Sequence, residues 1–199
     1  MAGLPAGAGT ITAVLGIAGG ATILAAFIPD LPWTNEATRL RLVLFNTGAI
    51  AIILAVSQRR AAGSPASRAV AAAAILANAW YLIMVVLSIG RPQPPLGDPE
   101  FRLVGFFAGS VMWLADSAFG VVALHDRTIG HAAALALAVG SILAFTGMDR
   151  LELARGEFGW LFSPLSLAGI ALNGAGWILI GSELLLRRGG GMGREAGTA

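Results

Sequence analysis

Six blocks of nearly unbroken apolar sequence, each about 16–22 residues long, constrain this chain more than any other feature. They run roughly Thr10–Ile28, Leu42–Ser57, Ala69–Ile89, Val104–Leu124, Ala132–Met148 and Leu165–Leu186. A helix needs ~20 apolar residues to cross a hydrocarbon core of ~30 Å. The expected fold is therefore an all-α integral membrane protein, a six-transmembrane-helix bundle spanning residues 1–188. The second and fifth blocks are the shortest, so their ends are the least defined.

Composition agrees. Of 199 residues, 56% are hydrophobic and 12% charged, with a mean hydropathy of +0.77. A soluble domain carries about a quarter charged residues. There is no cysteine, which excludes disulfides, iron–sulfur clusters, thiolate zinc sites and thiol nucleophiles. All 13 basic residues are arginine. Without lysine, no Schiff base to retinal or pyridoxal can form, and no cofactor is expected. The Ala- and Gly-rich, lysine-free composition points to a GC-rich bacterial genome and its cytoplasmic membrane. The net charge of +2 and pI of 10.4 come from arginines at helix ends. They form no basic stripe, so nucleic acid is not an expected partner.

The connections alternate in character. Arg59, Arg60 and Arg68 lie between blocks two and three, His125, Asp126, Arg127 and His131 between four and five, and Arg187, Arg188 and Arg194 after block six. The other connections mix acids and arginines. Orientation follows basic residues near span ends, so the arginine pairs place both termini in the cytoplasm. Trp33, Phe101, Phe158, Trp160 and Phe162 then gather at the outer interface. Met1–Gly9 has no basic side chain, so block one reads as a retained helix rather than a cleaved signal. Residues 189–199 read as a disordered cytoplasmic tail. Arg91–Pro99, with four prolines, reads as a stiff outer loop. Arg41-Leu-Val-Leu-Phe and Arg102-Leu-Val-Gly-Phe open blocks two and four. That echo fits three helical hairpins, although similar span ends alone also produce such echoes.

Asp116 is the one formally charged side chain deep inside a block. Ionisable groups are expensive in hydrocarbon and face protein or water, so it is the first candidate for function. At 100° per residue, Gly105, Gly109, Asp116 and Gly120 share a stripe flanked by Met112 and Trp113. Gly105 and Gly109 form a GxxxG, as do Gly16 and Gly20, a spacing that lets helix backbones approach closely. Asn78 and Asn173 lie near the middles of blocks three and six, at the depth of Asp116. Asn78 shares its stripe with Ala71, Ala74 and Tyr81, and Asn173 lies among Ser166, Gly169, Gly176 and Trp177. Ser141 and Asn46 are weaker candidates, Asn46 nearer the outside.

The residues proposed to bind a ligand or couple protons are thus Asp116, Asn78, Asn173, Tyr81, Trp113 and Trp177. Each also has a structural reading. Membrane asparagines are usually interhelical glue worth ~0.6–2 kcal/mol. Central Trp80, Trp113, Trp177 and Tyr81 are core filling by default, and otherwise an aromatic wall for a flat or cationic ligand. His125 and His131 lack the further ligands of a metal or haem site and read as interfacial. Glu183 and Arg187 form an ordinary i, i+4 pair.

No metalloprotease, nucleophile-elbow, Walker or Rossmann signature is present. The leading expectation is a small-molecule or proton-coupled carrier, or its membrane-embedded binding subunit. Helix-breaking prolines, common in carriers, are missing from the blocks, which counts against it. The alternative is a non-catalytic subunit or scaffold whose buried polar groups set helix packing. Its partner would be another membrane protein or a second copy. A third reading, an enzyme on a lipid or isoprenoid with Asp116 as general acid, lacks a second catalytic group.

Overall fold

A computed structural model describes residues 6–26, 36–59, 64–89, 99–147 and 164–195. The described residues are α-helical apart from short turns and caps. The elements are α1 (Ala6–Ala26), α2 (Glu36–Arg59), α3 (Pro65–Ser88), α4 (Pro99–His125), α5 (His131–Thr146) and α6 (Pro164–Glu195). The prolines excluded from the apolar blocks start helices instead: α3, α4 and α6 each open on one. Proline suits the first turn, where its missing N–H has no intrahelical partner. At α3 the Ser64 side chain caps the new helix by accepting from Ser67 N at 3.1 Å.

Among the described residues, four helices contain stretches long and apolar enough to cross a membrane: Arg39–Gln58, Pro65–Ser88, Leu103–His125 and Pro164–Leu186. The apolar parts of α1 (Thr10–Ala25) and α5 (His131–Thr146) are shorter. At about 1.5 Å per residue, a 16-residue helix such as α5 reaches ~24 Å, short of a ~30 Å core. Large apolar side chains cover the outside of every helix, among them Ile11, Leu54, Leu76, Phe107, Leu135 and Leu179. An exterior this apolar is suited to lipid rather than water.

The helices form a closed ring. Each packs against its neighbours in sequence, and α6 returns to α1; across the middle the α2 and α6 backbones approach only marginally, and side chains fill the space. Paired positions show that neighbours are antiparallel. Gly19 meets Phe45 while Gly16 meets Ile52, and Gly20 meets Gly174 while Gly181 meets Ala13. The closest seam is α5–α6. A Cβ added to Gly140 would stand 2.4 Å from Asn173 N, and one on Gly169 would stand 2.2 Å from Ala144 N. Both glycines are required by backbone approach. The Gly16–Gly20 pair serves packing as expected, one side on α2 and the other on α6. The pair in α4 does not. Gly105 has nothing within 4 Å of an added Cβ, and Gly109 lies under the Tyr81 ring. Gly120 is the α4 glycine that meets backbone, at Ala134 and Ala138 of α5.

Two ends of the ring are well defined. At one, α4 closes in a Schellman turn: Thr128 N donates to Ala123 O at 3.1 Å and Arg127 N to Leu124 O at 3.3 Å. Arg127 takes the left-handed position usually given to glycine, with φ 52°. Ser67 Oγ ties α3 to this turn by donating to Asp126 Oδ2 at 2.6 Å, and Gly130 N ties it to α6 by donating to Glu183 Oε2 at 2.8 Å. At the other end, buried Arg39 donates through Nη1 to Ser88 O, joining α2 to α3.

The backbone of α6 stays helical through Gly189–Glu195, where the sequence reading begins a disordered tail. Extending an existing helix adds a hydrogen bond per residue without a new nucleus, which offsets the low helix propensity of glycine. Trp33, Phe158, Trp160, Phe162, the bulk of the proline-rich loop, and the side chains of Phe101, Arg59, Arg60 and Arg187 lie outside the described residues.

Candidate functional site

The face of α3 formed by Ser67, Ala71, Ala74, Asn78, Val85 and Ser88 is turned inward by helical periodicity. Asn78 has no exposed surface. Its Nδ2 donates to Ala74 O one turn back, at 2.9 Å, and across to Asp116 Oδ1 on α4, at 2.8 Å. Asp116 is likewise fully enclosed. Among the described residues no basic side chain pairs with it.

The other polar group that reaches the carboxyl is the amide of Asn173. Asn173 is fully buried on α6 and donates through Nδ2 to Ser141 Oγ of α5 at 2.8 Å. A chain of polar groups thus crosses the interior from α3 through α4 and α6 to α5. Small residues permit it. Ala74, Ala77, Gly140, Gly169 and Gly176 are all buried and leave room for the amides between closely set backbones.

Aromatic rings bracket the carboxyl along α4. Trp113, one turn before Asp116, packs on Phe45 of α2 with ring centroids 6.3 Å apart. Phe119, one turn after, stacks on Trp177 of α6 at 6.3 Å and an interplanar angle of 14°. These pairs fill the space inside the ring, as aromatic side chains do in bundle cores.

Several polar atoms in this interior have no hydrogen-bond partner. Among the described residues they are Asp116 Oδ2, Asn78 Oδ1 and Asn173 Oδ1, on the three side chains of this cluster, and Trp177 Nε1, Asn46 Oδ1 and Ser110 Oγ elsewhere in the interior. A buried polar atom left unserved costs about 1–3 kcal/mol. Such a concentration in one interior is unusual, since native interiors satisfy nearly all such groups.

The structure brings Asp116, Asn78 and Asn173 together. Trp113 and Trp177 lie in the adjoining layers and are buried, while Tyr81 is half-buried against Gly109, two turns from Asp116 along α4. Trp80 is not central: 40% of it is exposed on the outside of the ring. Ser141, ranked low from sequence, is the direct partner of Asn173. Asn46 is fully buried but donates only to Leu42 O of its own helix. Phe119 joins the site as well, and its i+3 spacing from Asp116 is the sequence signal that marks it. His125 and His131 are exposed at the turn end, where His125 Nδ1 lies 2.9 Å from Asp126 Oδ1. No group of three or more potential metal-binding residues occurs among the described residues. Comparison of the chain with protein-family models, with curated proteins and with solved structures finds no match.

Proposed function

We propose that the chain crosses the cytoplasmic membrane six times, with both termini inside, and acts as a small-molecule or proton-coupled carrier or as its membrane-embedded binding subunit. Asp116 is the protonatable, charge-compensating group, and Asn78 and Asn173 orient what it binds. The observation that carries this reading is the state of the carboxyl. It is fully buried, accepts from Asn78 at Oδ1 and is approached by the Asn173 amide, while Oδ2 has no close hydrogen-bond partner among the described residues. A carboxyl placed only to join helices would have both oxygens served, because an unserved one costs about 1–3 kcal/mol. A carboxyl that exchanges a proton or guest keeps one oxygen available. The ring supports six spans because α1 and α5 occupy full places between the longer helices. Local thinning of the bilayer accommodates a short span.

A specific observation also favours the scaffold reading. Asn78 and Asn173 each bridge two helices, which is how buried amides fix register. One substitution separates the two. Asp116→Asn keeps size and hydrogen bonding but cannot titrate. In proteoliposomes with an entrapped pH-sensitive dye, wild type is expected to conduct protons down an imposed gradient. Asp116→Asn should fall to the empty-liposome rate with little change in unfolding midpoint. Flux that survives the substitution overturns the carrier reading. A variant that loses only thermal stability supports the scaffold.

A further inference from the structure

Asp116 has no exposed surface, so whatever reaches it needs a helix to move. The glycines show which helices are fastened. A Cβ built on Gly48 of α2 meets backbone of α1 at 2.4 Å, and one on Gly181 of α6 meets backbone of α1 at 2.9 Å. One on Gly169 of α6 meets backbone of α5 at 2.2 Å, and one on Gly120 of α4 meets backbone of α5 at 2.7 Å. Backbones packed this closely lose contact along the whole seam when they separate. Helices α2, α1, α6, α5 and α4 thus form one continuous horseshoe. Beside the carboxyl, Ser117 Oγ donates to Ala138 O at 3.0 Å and fastens α4 to α5 again.

Helix α3 fills the gap between α2 and α4 and is held differently. It contains no glycine. Gly109 of α4 packs on it, but against the ring of Tyr81 rather than backbone. In its 18-residue apolar window, 28% is buried, against 50% in each of the other three long stretches. Three polar clips secure it. Ser67 Oγ donates to Asp126 Oδ2 at 2.6 Å at one end, Asn78 Nδ2 to Asp116 Oδ1 at 2.8 Å in the middle, and Arg39 Nη1 to Ser88 O at the other end. Such bonds are lost when stretched by about 1 Å, so an outward step of α3 releases them together.

We propose that α3 is a gate. It swings away from the horseshoe, breaks the Asn78–Asp116 bond and opens the α3–α4 seam beside the carboxyl. Asn78 is then the latch: it holds Asp116 Oδ1 while the gate is shut and leaves it when the gate opens. The inference rests on the binding role proposed for Asp116 and adds the route by which a proton or guest reaches it.

The chain has no cysteine, so paired nitroxide labels need no background removed. The full chain in liposomes carries them at Leu76→Cys and Leu135→Cys, on the outside of α3 and α5, or at Leu54→Cys and Leu135→Cys, on the outside of α2 and α5. Double electron–electron resonance should resolve a second, longer distance only for the pair that includes α3. Asn78→Ala should enlarge that component roughly 3- to 15-fold, the effect of one interhelical hydrogen bond in a membrane on a two-state equilibrium. Ser67→Ala leaves the residues around Asp116 intact, should act in the same direction, and serves where Asn78→Ala folds poorly. A single unchanged distance for the α3 pair in wild type and variant overturns the inference, as does equal broadening of both pairs. Proton flux lost in Asp116→Asn while α3 stays fixed sinks the gate and leaves the carrier reading standing. A gate that opens in a protein that moves no protons overturns proton coupling while the gate stands.

Discussion

Asn78 Nδ2 donates at 2.8 Å to Oδ1 of Asp116, joining α3 to α4 through two side chains with no exposed surface. The bond lies where neither partner can turn to solvent. Removing one side therefore leaves the other stranded.

That asymmetry can be measured. Asn78→Ala should destabilise the protein by about 1–3 kcal/mol, the usual cost of leaving a buried polar group unserved. A double-mutant cycle with Asp116→Ala should give a coupling of about 0.6–1.7 kcal/mol, the range of interhelical hydrogen bonds in membranes. Equilibrium unfolding in mixed detergent reads both. A coupling indistinguishable from zero would mean that the contact contributes nothing to the association of α3 with α4.

Gly105 of α4 and Gly169 of α6 should respond in opposite ways. Gly169→Ala places a methyl 2.2 Å from Ala144 N, against backbone that cannot yield without moving α5. A loss of about 1–3 kcal/mol is expected, the usual range for overpacking. Gly105→Ala meets nothing within 4 Å and should change stability by less than ~1 kcal/mol, with a small gain from helix propensity. Thermal melts of the two single variants decide it. Equal losses would place Gly105 in a packed seam after all.

The tryptophans report which side of the ring faces lipid. In variants that retain a single tryptophan, Trp80, which is 40% exposed, should be quenched strongly by brominated acyl chains. Trp177, 1% exposed, should be quenched weakly or not at all. Similar quenching at both positions would contradict the inward placement of the Trp177 face, and with it the stacking of Trp177 on Phe119.

Position along the bundle axis is readable from residue numbers because a helix advances by a constant rise. Asn78, Asp116 and Asn173 sit near the middles of their blocks, and the structure joins or faces them accordingly. Azimuth was not readable. A helix in water shows its buried face by apolar periodicity. In this chain both faces are apolar, and that contrast is gone. Trp80 and Trp113 looked equivalent for this reason, yet one is outside and the other buried. The GxxxG of α4 failed likewise. The spacing marks two small residues on a face, not whether another helix arrives there.

The role of Ser141 is hidden in the sequence for a different reason. A hydroxyl in a helix usually bonds the carbonyl one turn back, as Thr47, Ser57 and Ser182 do here. Ser141 accepts from Asn173 instead, and only the Gly140–Gly169 seam, which brings α5 and α6 within backbone contact, makes that reach possible.

The sequence by itself determined that the chain is helical and apolar, and that one acid and two amides lie near the middles of their helices. Block length and constant helical rise carry that information locally. Tertiary structure alone decided that α6 closes on α1, which tryptophans turn inward, and that Asp116 lies between the amides of Asn78 and Asn173. Those outcomes depend on the rotation of each helix about its own axis. In a chain apolar on every side, only contact between helices sets that rotation.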